Sequence, residues 1–527
     1  MRIQTRLYTK CQNLLRHYSN FQYKPHLVRD HWEPVVGLEI HAQISSATKL
    51  FSRVSTRYGA PPNTQVGIFE SAHPGTLPVL NRRCVEAGVK TALAFGCTVN
   101  KWSAFDRKHY FYPDLPAGYQ ITQLDYPLAS NGKLEFVMYD LSRRKQTYRR
   151  SIELIQIQLE EDSGKSIHDK DNNRVLVDLN RAGQPLMELV FAPGLHNGEE
   201  AVAMVKEVAL ILTRIGTCNC RMHEGSLRVD ANISVHRPDE PLGTRTEVKN
   251  LNSIRSLSKA VDFEIQRQIN ILESGGRIIN ETRSFDTLSN ETISMRDKEV
   301  TQDYRFMPEP NLLPLRLHDS LEPTCQYDGS LDINDVRATM PELPEATRQR
   351  LMSDYEVTLE NAILLVNNGD LLDYYMAAMA VSNRSSRLVC NLLLNNLMGF
   401  LNSINADIKD SPLSASAFGE IVDLQQSGQI SNTVSNLVMN AICIEGDLRA
   451  PTQIVIDNNW FQLSAEDALE EIVDKVLSEN GQLIEKYKKS KKKKKLFNVI
   501  VQRIKDASEN RANMKIISDI VLKKLGS

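Results

Sequence analysis

Glu39 and His41 stand two residues apart in VVGLEIHAQIS, where Val36, Leu38, Ile40, Ala42 and Ile44 alternate with Glu39, His41 and Gln43. On a β-strand that spacing puts carboxylate and imidazole on one face, where both can reach a single cation. Two further acids lie among apolar residues. In SIELIQIQLEEDSGKS, Glu161 continues the phase of Ile155, Ile157 and Leu159, and in PLMELV, Glu188 sits between Met187 and Leu189. A carboxylate so placed needs a partner, because an unpaired buried charge is costly. SLRVDANISVH alternates Leu227, Val229, Ala231, Ile233 and Val235 with Arg228, Asp230, Asn232, Ser234 and His236, and RTEVKNLNS adds Glu247, Lys249 and Asn250. A donor set of many oxygens and one imidazole suits Mg²⁺ or Mn²⁺ better than zinc. Mg²⁺ usually works with phosphates, and Lys and Arg on the same face suit phosphate oxygens. The pattern therefore points to a metal–nucleotide site on an open sheet; scattered structural ion pairs are the competing reading.

Other chemistries fit less well. Gly164-Lys165-Ser166 looks like the end of a phosphate-binding loop, but the first glycine of that motif would fall at Leu159. Glu160, Glu161 and Asp162 precede it and would repel phosphate without a metal. There is no GxSxG elbow, Ser/Lys amidase signature or Cys-centred glutaminase motif, so hydrolysis of an amide donor is not expected of this chain. Cys218 and Cys220, with His223 nearby, make a poor tetrahedral metal site without a second pair of thiols. The eight cysteines are scattered and suit a reducing compartment.

The elements that must position these residues are legible in outline. Period-2 segments at 35–45, 152–161, 174–179 and 226–236 predict strands. NGEEAVAMVKEVALILTRIG and RSLSKAVDFEIQRQINILESGG predict two helices, stopped by Gly216 and by Gly275-Gly276. The first part is thus α+β, with an open sheet that is polar on one face. The Pro-rich stretch FMPEPNLLPLRL marks an expected boundary, and helical periodicity follows from about residue 333. The expected domains are a leader at 1–30, an α+β catalytic domain at 31–310, and two small all-α domains at 311–408 and 409–527.

The 527 residues, 41% hydrophobic and 24% charged, form an ordinary globular composition too long for one core. No apolar run approaches the roughly 20 residues that span a bilayer, so membrane insertion is not expected. The net charge of −2 is unevenly spread: residues 1–30 carry +5 and 481–527 carry +10, which leaves −17 for the body between them. The first 29 residues have Arg and Lys but no acid, and lack an apolar signal core, as in a mitochondrial transit peptide. The basic tail has eight lysines in residues 486–495, suited to sequence-independent contact with a phosphate backbone; a solvated charge run is the alternative.

Taken in order, VVGLEIHAQI, KLFS, GTLPVLN, HYFYPDLPAGYQITQ, LEEDSGKS, LVDLNRAGQPLMELV, GSLRVDANIS, EVKNLNS and TQDYRFMPEP resemble the GatB family, the B subunits of glutamyl-tRNA(Gln) amidotransferases. The resemblance is dense over 34–310 and looser beyond. It implies a cradle-shaped catalytic domain, a helical domain and a YqeY-type tail that grips tRNA. It also implies a heterotrimer with an amidase (GatA) and a small third component (GatC), located in the mitochondrial matrix. The amidase would release ammonia from glutamine, and the GatB component would use ATP to activate the glutamyl group of Glu-tRNA(Gln) and amidate it to Gln-tRNA(Gln). Carried over by motif, the Mg²⁺ ligands would be Glu39, His41, Glu161 and Glu188. Glu161, Asp230 and Lys249 would be catalytic, and Lys165, Ser166, Arg228 and Asn250 would face ATP. Many relatives carry a cysteine pair before the PG-x-LPVLN motif; this chain reads GIFESAHPGTLPVLN, so no zinc is expected there. Its tail also departs from the family pattern, with KKSKKKKK and ENRANM. A tRNA-binding scaffold without catalysis is the alternative function.

Overall fold

The computed structural model describes residues 31–140, 146–169, 171–295, 304–321, 330–381, 383–462, 466–489, 493–508 and 514–525. The expected leader at 1–30 lies outside them. The chain divides into two units, Met1–Leu343 and Pro344–Ser527.

A nine-stranded sheet organises the first unit. Its strands are β1 (Glu33–Gln43), β2 (Thr98–Val99), β3 (Ala129–Asp140), β4 (Gln146–Glu161), β5 (Pro185–Phe191), β6 (Leu227–His236), β7 (Thr246–Leu251), β8 (Thr282–Asp286) and β9 (Glu291–Ser294). Their spatial order is β9-β8-β7-β6-β1-β5-β4-β3-β2. All neighbours are antiparallel except β7 and β8. β1 lies at the centre, where its alternation commits every second residue to the core. Val36, Leu38, Ile40 and Ala42 are essentially inaccessible on the back face, with Val229, Ala231 and Ile233 of β6 beside them. Full burial of each large aliphatic side chain there contributes about 1.5–3 kcal/mol.

Three long helices belong to this unit's core. They are α1 (Arg82–Ala94), α2 (Gly198–Arg214) and α3 (Ile254–Glu273). Each begins at a side chain that accepts a free backbone N–H: Asn81 from Arg83, Asn197 from Glu200 and Ser253 from Ser256. In α2, Glu199 and Glu200 in the first turn and Arg214 in the last complement the helix dipole. Gly216 and Gly275 follow α2 and α3 at φ +71° and +80°, a left-handed conformation that glycine adopts without strain.

The Pro-rich stretch is not the boundary. Leu315–His318 pairs with Trp102–Ser103, and Leu317, Leu331, Ile333 and Val336 join the first unit's core, which carries that unit to Leu343. In the second unit the loop at 409 does not divide two domains either. Tyr374 donates to the Leu413 carbonyl (2.8 Å) and its ring meets Phe418 at 5.7 Å, so helices on both sides share one core. A separate helical core within the same unit is built by Leu469, Val473, Ile504, Ile517 and Val521. Among the described residues no helix is long and apolar enough to cross a membrane.

Candidate functional site

The front face of the sheet converges on three side chains. β1 pairs with β5 so that His41 lies opposite Glu188, and β5 pairs with β4 so that Glu188 lies opposite Gln158, two residues before Glu160. His41 Nε2 is 3.3 Å from Glu160 Oε1 and 3.8 Å from Glu188 Oε1. One donor atom from each of the three lies within 4.8 Å of the others, a spacing that one cation can bridge.

The electrostatics fit such an ion. Burial disfavours a protonated His41, but its hydrogen bond to Glu160 and the charges of Glu188 and Glu160 outweigh burial and lift it to about 9. Burial, reinforced by Glu160, pushes Glu188 up to about 7. For Glu160 burial is outweighed by His41, which holds this carboxyl well below its usual range. The imidazolium partly balances the two carboxylates, and a divalent ion held here would take the place of the His41 proton, because only a neutral imidazole ligates a metal.

A second row lies beside the first. Glu39 is opposite Asp230, and His41 opposite Arg228, across β1 and β6. Glu39 accepts a hydrogen bond from Asn232 Nδ2 (3.0 Å), and burial, with Glu247 and Asp230 nearby, raises its pKa. Lys249 Nζ is 3.3 Å from Glu247 and 3.9 Å from Asp230; burial opposes its charge, but these acids outweigh burial and keep it protonated. Arg228 donates to Asp162 (2.9 Å), to which Arg181 also points at 3.6 Å.

Not every sequence-expected ligand reaches the cluster. Glu161 does not join His41 and Glu188; the neighbouring Glu160 does. Alternation puts Gln156, Gln158 and Glu160 on the front, whereas Glu161 turns to the Tyr119–Thr122 strand and accepts the Ile121 N–H (3.0 Å). Burial, opposed by that N–H, pushes Glu161 up to about 8, with Glu70, Glu309 and Glu160 adding repulsion. Glu39 shares the front face with His41 but stands in the second row. Lys165 and Ser166 belong to a separate hairpin of Lys165–Asp169 with Arg174–Asp178, Lys165 being exposed and opposite Asp178. Asn250 lies on β7, and its side chain is outside the described residues. Glu160 and Gln158 were recoverable from strict alternation with Gln156. Thr122, which donates to Glu160 Oε2 (3.2 Å), was not, because it comes from a separate three-stranded sheet.

A divalent ion could be held by His41, Glu160 and Glu188, with the Lys249 and Arg228 cations nearby to offset anionic oxygens. The GatB/GatE catalytic domain matches residues 34–322, and the GatB domain matches 373–525. The chain is 46% identical over 501 residues to the B subunit of the mitochondrial glutamyl-tRNA(Gln) amidotransferase of Aedes aegypti, covering 94% of each chain. Its identity to the corresponding human mitochondrial protein is 47% over 496 residues, or 94% of this chain and 88% of that one. The B subunit of an aspartyl/glutamyl-tRNA(Asn/Gln) amidotransferase from Nitrosococcus oceani is 40% identical over 496 residues, 94% of this chain and 99% of that one. The chain belongs to the GatB/GatE family.

Proposed function

We propose that this chain is the GatB component of a mitochondrial glutamyl-tRNA(Gln) amidotransferase, an ATP-dependent carbon–nitrogen ligase with glutamine as amide donor. It works with an amidase (GatA) and a small third component (GatC). The observation that carries the reading is the convergence of His41, Glu160 and Glu188 on the polar face of the sheet.

The reaction has two displacements. A γ-carboxylate oxygen of the glutamyl group attacks the terminal phosphorus of ATP, and the bond to ADP breaks. Ammonia then attacks the acyl carbon of the mixed anhydride, phosphate leaves with the bonding pair, and ammonia's surplus proton passes to solvent or a basic side chain. His41, Glu160 and Glu188 would hold Mg²⁺, which neutralises charge on phosphate oxygens. Lys249, kept charged by Glu247 and Asp230, and Arg228, anchored by Asp162, orient and offset anionic oxygens. Glu161, with its pKa pushed up to about 8, offers a proton acceptor or donor near neutral pH, close to the Glu160 end of β4. The separate helical core that ends the chain, with the basic tail, supplies non-specific attraction for tRNA.

The test is Glu188→Gln in the reconstituted complex. ADP release that depends on Glu-tRNA(Gln) should fall at least ~100-fold while glutaminase activity persists. Undiminished ADP release would place activation elsewhere.

A further inference from the structure

Cys218 and Cys220 stand on the loop that joins α2 to β6. Cys218 is buried, whereas Cys220 is only partly covered. Their sulfurs fold back on one stretch of backbone. Cys218 Sγ accepts the Cys220 N–H (3.2 Å), Cys220 Sγ donates to the Cys218 carbonyl (3.8 Å), and the two thiols hydrogen-bond one another. Cys220 holds a left-handed backbone, φ +54°, which a residue with a side chain seldom adopts unless its surroundings impose it. Among the described residues no third ligand joins the two sulfurs within the span of one metal ion, and His223 pairs instead with Glu224 (3.7 Å). The chemistry left to the pair is that of two thiols.

Their environments set the two thiols apart. The hydrogen bond from Cys218, aided by Thr213, holds Cys220 below the usual thiol range against burial. The same contact, with burial, pushes Cys218 well up. A partly exposed, more acidic thiol beside a protonated neighbour suits an attacking sulfur with a resolving one, because the thiolate is the nucleophile. Burial pushes Cys84 and Cys97 up to about 12, which keeps both protonated. The loop is also stitched to the central strand. The Ser226 carbonyl accepts both the Gln43 N–H (2.8 Å) and the Cys218 S–H (3.3 Å), and the Thr217 carbonyl accepts the Ser45 N–H (2.8 Å). Gln43 is two residues beyond His41 on β1, and Ser226 is two before Arg228, which lies opposite His41.

We propose that Cys220 and Cys218 form a redox-active dithiol that hydrogen peroxide converts to a disulfide, loosening the rim of the sheet beside His41. The Cys220 thiolate attacks one peroxide oxygen, the O–O bond breaks, and the departing oxygen takes up a proton and leaves as water. Cys220 is then a sulfenic acid. The Cys218 sulfur attacks the Cys220 sulfur, the S–O bond breaks, and hydroxide leaves with the Cys218 proton as a second water. The dithiol loses two electrons and the peroxide gains them. The disulfide has no S–H to offer Ser226, so the carbonyl that also holds Gln43 loses one of its two donors. The oxidation stands apart from the function proposed above; only its consequence for ATP-dependent activation rests on that reading.

The experiment treats the full chain, assembled with its partner proteins, with hydrogen peroxide, then alkylates it and maps its peptides by mass spectrometry. The peptide holding Cys218 and Cys220 should lose the mass of two hydrogens and regain it in dithiothreitol. Before oxidation, Cys220 should alkylate at least ~10-fold faster than Cys84. Cys218→Ser should stop at a sulfenic acid on Cys220 that a cyclic dione traps, and Cys220→Ser should leave Cys218 unoxidised. A Cys220 no more reactive than Cys84, or a wild-type product without the Cys218–Cys220 link, overturns the proposal. Oxidation should also lower Glu-tRNA(Gln)-dependent ADP release about 3- to 30-fold, reversibly, in wild type and not in Cys220→Ser. A mapped disulfide with undiminished ADP release overturns the link to the His41 strand. If the reduced complex releases no ADP at all, the proposed function fails, and the peptide map alone decides the dithiol.

Discussion

Two adjacent acids, Glu160 and Glu161, provide a sharp test because the fold sends them to different neighbours. Glu160 contacts His41 at 3.3 Å and accepts from Thr122, whereas Glu161 accepts the Ile121 N–H. Glu160→Gln keeps the shape and one acceptor oxygen but removes a full negative charge from the cluster. At ~4 Å and an effective dielectric constant near 20, one pair of unit charges is worth about 4 kcal/mol. A divalent ion doubles the attraction, while solvent and the remaining Glu188 take up part of the loss. A net loss of about 3 kcal/mol corresponds to about 100-fold in Mg²⁺ affinity. Glu161→Gln removes a carboxyl that is mostly protonated at neutral pH and outside the cluster, so its Mg²⁺ affinity should change less than about threefold. The assay is Glu-tRNA(Gln)-dependent ADP release by the complex as a function of Mg²⁺ concentration, with glutaminase activity as the control for assembly. A shifted Mg²⁺ requirement in Glu161→Gln and not in Glu160→Gln would refute the assignment.

Three more outcomes follow from specific contacts. Glu264, fully buried on α3, accepts from Arg267 (2.6 Å), Thr246 and Thr292 (2.7 Å each); Glu264→Ala should cost about 3 kcal/mol of unfolding free energy by removing the main carboxylate partner of buried Arg267 and leaving the two threonine hydroxyls without their acceptor. Burial raises Glu264's pKa, but these donors outweigh it and lower the value, so its contribution is present above the unfolded carboxyl value and lost as pH falls through the lower folded one. Chemical denaturation from neutral pH into the acid range should accordingly show the gap between wild type and Glu264→Ala narrowing at the acid end. Lys249→Met should lower ADP release about 10- to 100-fold with little change in thermal stability, as measured by single-turnover kinetics and calorimetry. Deleting residues 466–527 should weaken tRNA binding and flatten its dependence on salt, read from filter binding between about 50 and 200 mM salt; an unchanged slope would remove the tail from tRNA binding.

The central strand was legible in the sequence because one physical rule governs it: β1 buries every second residue, so Glu39 and His41 share a face. The helices α2 and α3 were legible for a similar reason, since caps, terminal glycines and, in α2, an acidic first turn are local signals. The phase of β4 was not. The register shift opposite Val190 and Phe191 reverses the alternation at Ile155, and nothing in IELIQIQLEE announces it. The choice between Glu160 and Glu161 was open to alternation from Gln156 and Gln158, yet the partner that turns Glu161 aside, Ile121, lies 40 residues away. The boundary at 310 failed because prolines mark turns, whereas burial of Leu317, Leu331 and Ile333 decides membership of a core.

The most direct measurement is Mn²⁺ binding to the assembled complex, followed by electron spin echo spectroscopy in wild type, His41→Ala and Glu161→Gln. The account predicts a bound Mn²⁺ coupled to one imidazole nitrogen, lost in His41→Ala and retained in Glu161→Gln. An imidazole coupling that survives His41→Ala, or disappears in Glu161→Gln, would contradict it.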